Sequence, residues 1–220
     1  LIVLTDDMGF SDLGCFGGEI ETPNLDALAA GGLRFTEFYN TARCWPTRAT
    51  LLSGRYSNSL GKNQVTIAEV LKTAGYDTGM VGKWHLGGPG FYPQDHGFEE
   101  NVGGCEVGSP GSSGYFSPWS SIPALADADV PEGTYLTDYL TDRALGLIEN
   151  RDRRRPFFLN LWYYTVHTPI QAKQEKIARH TARAEELGLD RVETFEEGDF
   201  FPCEHKRDGR IRRRLVQSDP

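Results

Sequence analysis

The sequence predicts an α/β fold, a doubly wound and mainly parallel sheet flanked by helices. Three segments have the length and composition of strands in such a sheet: the fully apolar Leu1–Leu4, the compact Tyr76–Val81, and Phe157–Val166, the strongest of them although Asn160 interrupts it. Between them lie stretches with helical periodicity and helix punctuation. Strand and helix therefore alternate, the pattern that gives parallel strands joined by crossover helices. With 220 residues the chain can bury a real core and suits one large domain or part of one.

Leu1–Leu4 reads as a central strand covered on both faces, and Asp6 and Asp7 follow it directly. Paired carboxylates after a buried strand lie at its carboxyl end, where open α/β sheets place their ligands. They offer hard oxygen donors suited to calcium or magnesium rather than zinc. The plainer alternative is a pair of turn acids ahead of Gly9. Thr22–Gly31 is a short helix, with Thr22 as cap, Pro23 in the first turn and Gly31 as terminator. Leu33–Tyr39 is a strand or an extended approach to the segment that follows.

That segment is CWPTRATLLSGR, from Cys44 to Arg55. Pro46 suits a first helical turn and Gly54 a helix end, so Cys44 stands where free backbone N–H groups favour an anion. Cys44 is then a nucleophile, a modified residue or part of an oxyanion pocket, with Arg48 one turn on. The competing reading is a buried free cysteine. A phosphatase-type loop does not fit, because five residues separate its Cys and Arg, whereas here the spacing is Cys-x-x-x-Arg.

Thr66–Ala74 forms a clearer helix, with Thr66 and Glu69 at capping-box spacing and Ile67, Val70, Leu71 and Ala74 on one face. Gly75 ends it. The strand Tyr76–Val81 then delivers Gly82-Lys83-Trp84-His85-Leu86-Gly87; if this stays extended, Lys83 and His85 point the same way as a cation and a proton-transfer group. Residues 87–133 are rich in Gly, Ser and Pro, but the aromatics Phe91, Tyr92, Tyr115, Phe116 and Trp119 speak for a folded excursion. It walls a substrate pocket or merely covers the core. His96, inside it, receives no role.

Thr137–Asn150 has Leu140, Ala144, Leu147 and Ile148 at helical spacing, and the arginines of 151–155 form a solvated turn. His167 follows the strand Phe157–Val166, and Pro169 stops further pairing. Lys173–Leu187 is a charged, exposed helix. Beyond Gly188 come an acidic patch at Glu193–Asp199 and a basic one at Lys206–Arg214, read as surface.

The formal net charge of -8 argues against a nucleic-acid partner, which would require a basic face. Small anions need only a local positive pocket. No apolar run reaches the length of a membrane span. Cys15, Cys44, Cys105 and Cys203 lack zinc-type pairing and leave the compartment open. The chain has neither an internal repeat nor a Gly-rich phosphate loop. It opens at Leu1 inside a strand-like run, so an earlier start is expected.

Together, LIVLTDDMG, TPNLDALAAGG, CWPTRATLLSGR, GYDTGMVGKWHLG and PFFLNLWYYTVHTP resemble the type I sulfatases of the alkaline phosphatase superfamily, across nearly the whole chain. The resemblance implies that 1–220 is the amino-terminal part of a single catalytic domain, with an alkaline phosphatase-like fold truncated at its carboxyl end. By position it implies that Cys44 is converted to formylglycine by a maturation enzyme and that Arg48 holds the aldehyde hydrate. Asp6 and Asp7, with the modified Cys44, would bind calcium, magnesium being the lesser alternative; Lys83 and His167 would hold sulfate oxygens, and His85 would act on the formylglycine. The implied reaction is hydrolysis of a sugar or aryl sulfate ester. One hydroxyl of the hydrate attacks sulfur and the other, deprotonated by His85, expels sulfate after His167 has protonated the leaving alcohol. Family members add an Asp, an Asn and a second lysine from later sequence, and Asp219 lacks their motif. A fragment with an incomplete metal shell and little activity alone is therefore expected. A phosphonate or phosphodiester hydrolase of the same superfamily and a silent binding protein are the alternatives. Export to the periplasm, the medium or a lysosome is implied by the family only.

Overall fold

A computed structural model describes residues 1–191, 195–197 and 213–215. Among the described residues the main sheet has four parallel strands: β1 (Ile2–Leu4), β2 (Asp77–Gly82), β3 (Glu100–Val102) and β4 (Phe157–Trp162), in the order β1-β4-β2-β3. The register pairs Ile2 with Asn160 and Met80 with Asn160 from the other side, so β4 is central.

Alternation along the strands builds two cores. Val81, Leu159 and Leu161 face α4 (Leu136–Asn150), whose Leu136, Leu140 and Ala144 are buried against them. Met80, Phe158 and Trp162 face the other way, against Ala49 and Leu52 of α2 (Cys44–Ser53) and Ala68 of α3 (Ile67–Thr73). Helices thus cover both faces, as the alternating pattern predicts. Gly82 closes β2 at φ 100, where a Cβ would meet the Trp162 carbonyl oxygen at 2.0 Å, so only glycine lets β2 end this close to β4.

Several expectations are corrected. Leu1–Leu4 is not a central strand among the described residues: β1 lies at the sheet edge and Val3 is 53% exposed. An apolar run states that cover is needed, not which segment supplies it. Leu33–Tyr39 forms no strand and is exposed throughout, which leaves the extended approach. β4 stops at Trp162 rather than Val166, because Tyr163 N–H takes the last β1 carbonyl, Leu4 O, and the partner beyond it is the loop residue Asp6, which exchanges bonds with Thr165 O and Val166 N–H. The excursion at 87–133 contributes a sheet strand, β3, hidden in sequence by its charged and polar residues Glu100 and Asn101. It also supplies Tyr115, Trp119, Ile122 and Leu125 to the core.

Helix signals fare better. Thr66 and Glu69 form the capping box, with Glu69 N–H donating to Thr66 Oγ1 at 3.2 Å and Thr66 N–H to Glu69 Oε2 at 2.8 Å. Thr22 makes no cap bond to α1 (Pro23–Ala30); its hydroxyl accepts from Gly14 N–H and donates to Asp26 instead. A long-range partner has displaced the local one. Helix α5 (Gln174–Glu186) buries none of its residues, as its charge implies. The strands β5 (Phe195–Glu197) and β6 (Arg213–Leu215) pair antiparallel, and the rest of the acidic and basic patches lies outside the described residues. Cys15, Cys44 and Cys105 are free thiols. No helix of the described residues is long and apolar enough to cross a membrane.

Candidate active site

The ends of β1, β2 and β4 and the start of α2 meet at the carboxyl edge of the sheet. After β1 the backbone is laced to the turn beyond β4, with Asp6 N–H donating to Thr165 O at 2.8 Å and Val166 N–H to Asp6 O at 2.5 Å. Asp7 Oδ2 consequently lies 3.8 Å from His167 Nε2. On the other flank Lys83 follows β2, its N–H donating to Trp162 O at 2.7 Å.

Asp6, Arg48 and Lys83 converge although the sequence separates them widely. The Lys83 ammonium, fully buried, donates to Asp6 Oδ2. The buried Arg48 guanidinium has Nη2 3.5 Å from Asp6 Oδ1, gives an Nη1 hydrogen bond of 2.8 Å to Lys83 O, and lies over the Trp162 ring. Burial lowers the pKa of both cations, and the Asp6 carboxylate opposes that shift by favouring their charged forms. One carboxylate faces two cations. The cluster therefore keeps a surplus positive charge, suited to an anion.

Cys44 opens α2 and is half-buried. It lines a cavity of about 260 Å³ with Asp6, Asp7, Asn40, Thr47 and Arg48. Four of the seven candidate residues thus share one cavity wall, and Lys83 reaches it through Asp6. A larger depression of about 630 Å³ opens at the opposite end of the sheet, near Asp77 and Phe157. It carries no candidate residue and lies away from the edge where parallel sheets bind.

His85 departs from the extended geometry that would aim it with Lys83. Its φ is 58, just after the left-handed Gly82. The imidazole sits edge-on to Trp45, with ring centroids 5.5 Å apart, and against Gly108, where a Cβ would come within 2.3 Å of ring atom Cε1. Burial first, then the charges of Lys83 and Arg48, push its pKa down from 6.5 to about 4. It is a neutral imidazole near pH 7, with Nδ1 buried and without a partner among the described residues. His96 is buried beside Trp84 and Phe91, a packed histidine away from this edge.

Asp6 and Asp7 are donors of the kind calcium and magnesium take, on the wall of a cavity. They fit such an ion in kind but not in number. Calcium takes about six to eight oxygens, and no group of three or more His, Cys, Asp or Glu able to hold a metal forms among the described residues.

Sequence reasoning missed Asn40 and Thr47 in the cavity wall, and missed what the excursion does at the site. Gly108 packs on His85, and Tyr115 bonds to the turn carrying His167. Neither contact has a local sequence signal, since each joins segments far apart in the chain.

A family model described as Sulfatase matches residues 1–190. Mouse arylsulfatase J is 34% identical over 202 residues, covering 78% of this chain and 33% of the relative. Among solved structures, Ps i-CgsB in complex with k-i-k-neocarrahexaose is 31% identical with a TM-score of 0.68, covering 80% of this chain and 47% of that one. A second, in complex with its substrate D-glucosamine-2-N,6-O-disulfate, is 29% identical with a TM-score of 0.63, covering 90% and 38%. The chain spans about a third of the length of the mouse relative.

Proposed function

The chain belongs to the sulfatase family, and from that premise we propose that it forms the amino-terminal part of the catalytic domain of a sulfuric ester hydrolase acting on a sugar or aryl sulfate. The observation that carries this is the position of Cys44, at the first turn of α2 on the wall of a cavity it shares with Asp6, Asp7 and Arg48. Formylglycine made at this position would supply a hydrated aldehyde, one hydroxyl to attack sulfur and a second to expel sulfate and restore the aldehyde.

The chain's own residues prepare that chemistry. Arg48 orients the group at position 44 from one helical turn away, while the surplus charge of Arg48 and Lys83 over Asp6 binds the sulfate oxygens and stabilises charge growing on them. His167, three-quarters buried beside Asp7, donates a proton to the leaving alcohol. His85 accepts a proton from position 44; its neutral state near pH 7, a consequence of burial and nearby cations, supports the role. Asp6 and Asp7 would hold a divalent cation, calcium before magnesium, which when bound supplies Lewis-acid polarisation of a sulfate oxygen. Ligands from outside this chain would complete its shell. A formylglycine-generating enzyme is the implied maturation partner, and export follows from the same reading.

Mass spectrometry of the Cys44 peptide tests the proposal. In a host able to make formylglycine the peptide should carry the mass of the aldehyde or its hydrate; an intact thiol in an active preparation would sink the mechanism. Parallel assays with an aryl sulfate and an aryl phosphodiester should show preference for the sulfate, and the reverse preference would move the protein to phosphoester hydrolysis.

A further inference from the structure

The turn Tyr164–His167 is held from two sides. Its own closing bond runs from His167 N–H to Tyr164 O at 3.0 Å. On one side Asp6 laces it to β1; on the other stands Tyr115, from the Gly-rich excursion. The Tyr115 hydroxyl lies 2.7 Å from Tyr164 O and 2.8 Å from His167 O, so its single proton is shared between the two carbonyls that bracket the turn.

Tyr115 is itself fixed. It is 1% exposed, its N–H donates to Gln171 Oε1 at 2.7 Å, and Tyr135 Oη donates to Gln171 O at 3.2 Å. Next to it, Gly114 holds φ 69 and ψ -159, a backbone conformation that favours glycine, and Gln171 Oε1 lies where a Cβ would stand. The excursion is thereby clamped to the segment on both sides of His167. A phenol held neutral and buried, with both its contacts on one turn, is a rigid strut under that histidine.

We propose that Tyr115 is a positioning residue, which aims the His167 imidazole at the leaving-group oxygen by holding the two carbonyls of its turn. This rests on the assignment of His167 as the proton donor. It gives the excursion a part in the reaction beyond walling a pocket or covering the core.

Tyr115→Phe keeps the ring and removes the hydroxyl. In the matured, metal-loaded full-length enzyme it should lower kcat on an alkyl sulfate by roughly ten-fold, the worth of one hydrogen bond. Hydrolysis of an activated aryl sulfate, whose phenolate leaves without a proton, should barely change. In a His167→Ala background the same substitution should add nothing. A separate readout does not depend on activity: in a proton–nitrogen correlation spectrum of this chain, Tyr115→Phe should move the His167 ring resonances while those of the remote, exposed His180 stay in place. Unmoved His167 resonances, or equal losses on both esters, would overturn the proposal. If His167→Ala itself fails to discriminate between the esters while Tyr115→Phe still moves the His167 ring, the proton-donor assignment is what has failed, and the catalytic role of Tyr115 falls with it.

Discussion

Asp6 has two jobs that conflict. It is a candidate metal ligand, and it is the counter-ion of two buried cations, Lys83 and Arg48. Removing one partner of a buried charge cluster leaves the others uncompensated, at a cost of about 3–5 kcal/mol. Asp6→Ala should therefore destabilise the fold by that amount in urea titrations, whereas Asp7→Asn, at an exposed position whose left-handed backbone (φ 59) Asn tolerates, should change stability little. Equal effects would mean that Asp6 is not the counter-ion. His85 makes a second prediction. Unfolded, its imidazole takes a proton as pH falls through about 6.5; folded, it resists until about 4. In that window the unfolded state binds more protons, so stability falls as pH falls from about 6.5 to 4 and this contribution is flat below. His96, also depressed by burial, acts in the same direction. Comparing urea midpoints of the native chain and His85→Gln across the window isolates the His85 share: the variant should have the shallower acid slope.

The capping box of α3 is a local signal that survives into the fold, and Thr66 also reaches outward, its Oγ1 donating to His96 O at 2.8 Å. Thr66→Ala should accordingly cost about 1–2 kcal/mol, combining a lost cap with a lost buried hydrogen bond. Thr66→Ser, which keeps the hydroxyl, should recover most of it; thermal unfolding of the pair decides. The contrast with Thr22 is instructive. Both threonines precede a helix, yet only Thr66 caps, because the Thr22 hydroxyl is taken by Gly14 and Asp26. Strand β3 illustrates the same limit. Its Glu100 and Asn101 carry little strand propensity, and pairing with Gly79, Met80 and Val81 decides the conformation.

At the scale of the molecule, parallel strand ends gather residues that lie 77 positions apart, Asp6 and Lys83, into one buried contact. The donor set this gives for a cation is two carboxylates, one already paired. Isothermal titration of residues 1–220 should therefore find no stoichiometric calcium binding tighter than about a millimolar. Tight one-to-one binding, abolished by Asp7→Asn, would contradict the reading that further ligands come from outside this chain. The sequence by itself determined the alternation of strand and helix, the helix that starts at Cys44, the capping box at Thr66, and the polar residues that follow β1, β2 and β4. These are read locally, from periodicity, turn chemistry and residue type. Only the tertiary structure decided that β1 lies at an edge, that Asp6 is the shared counter-ion of Lys83 and Arg48, that His85 is a depressed imidazole resting on Gly108, and that Tyr115 braces the turn of His167. Each of these depends on which distant segment comes to lie alongside, and therefore on burial and charge that no stretch of neighbouring residues specifies.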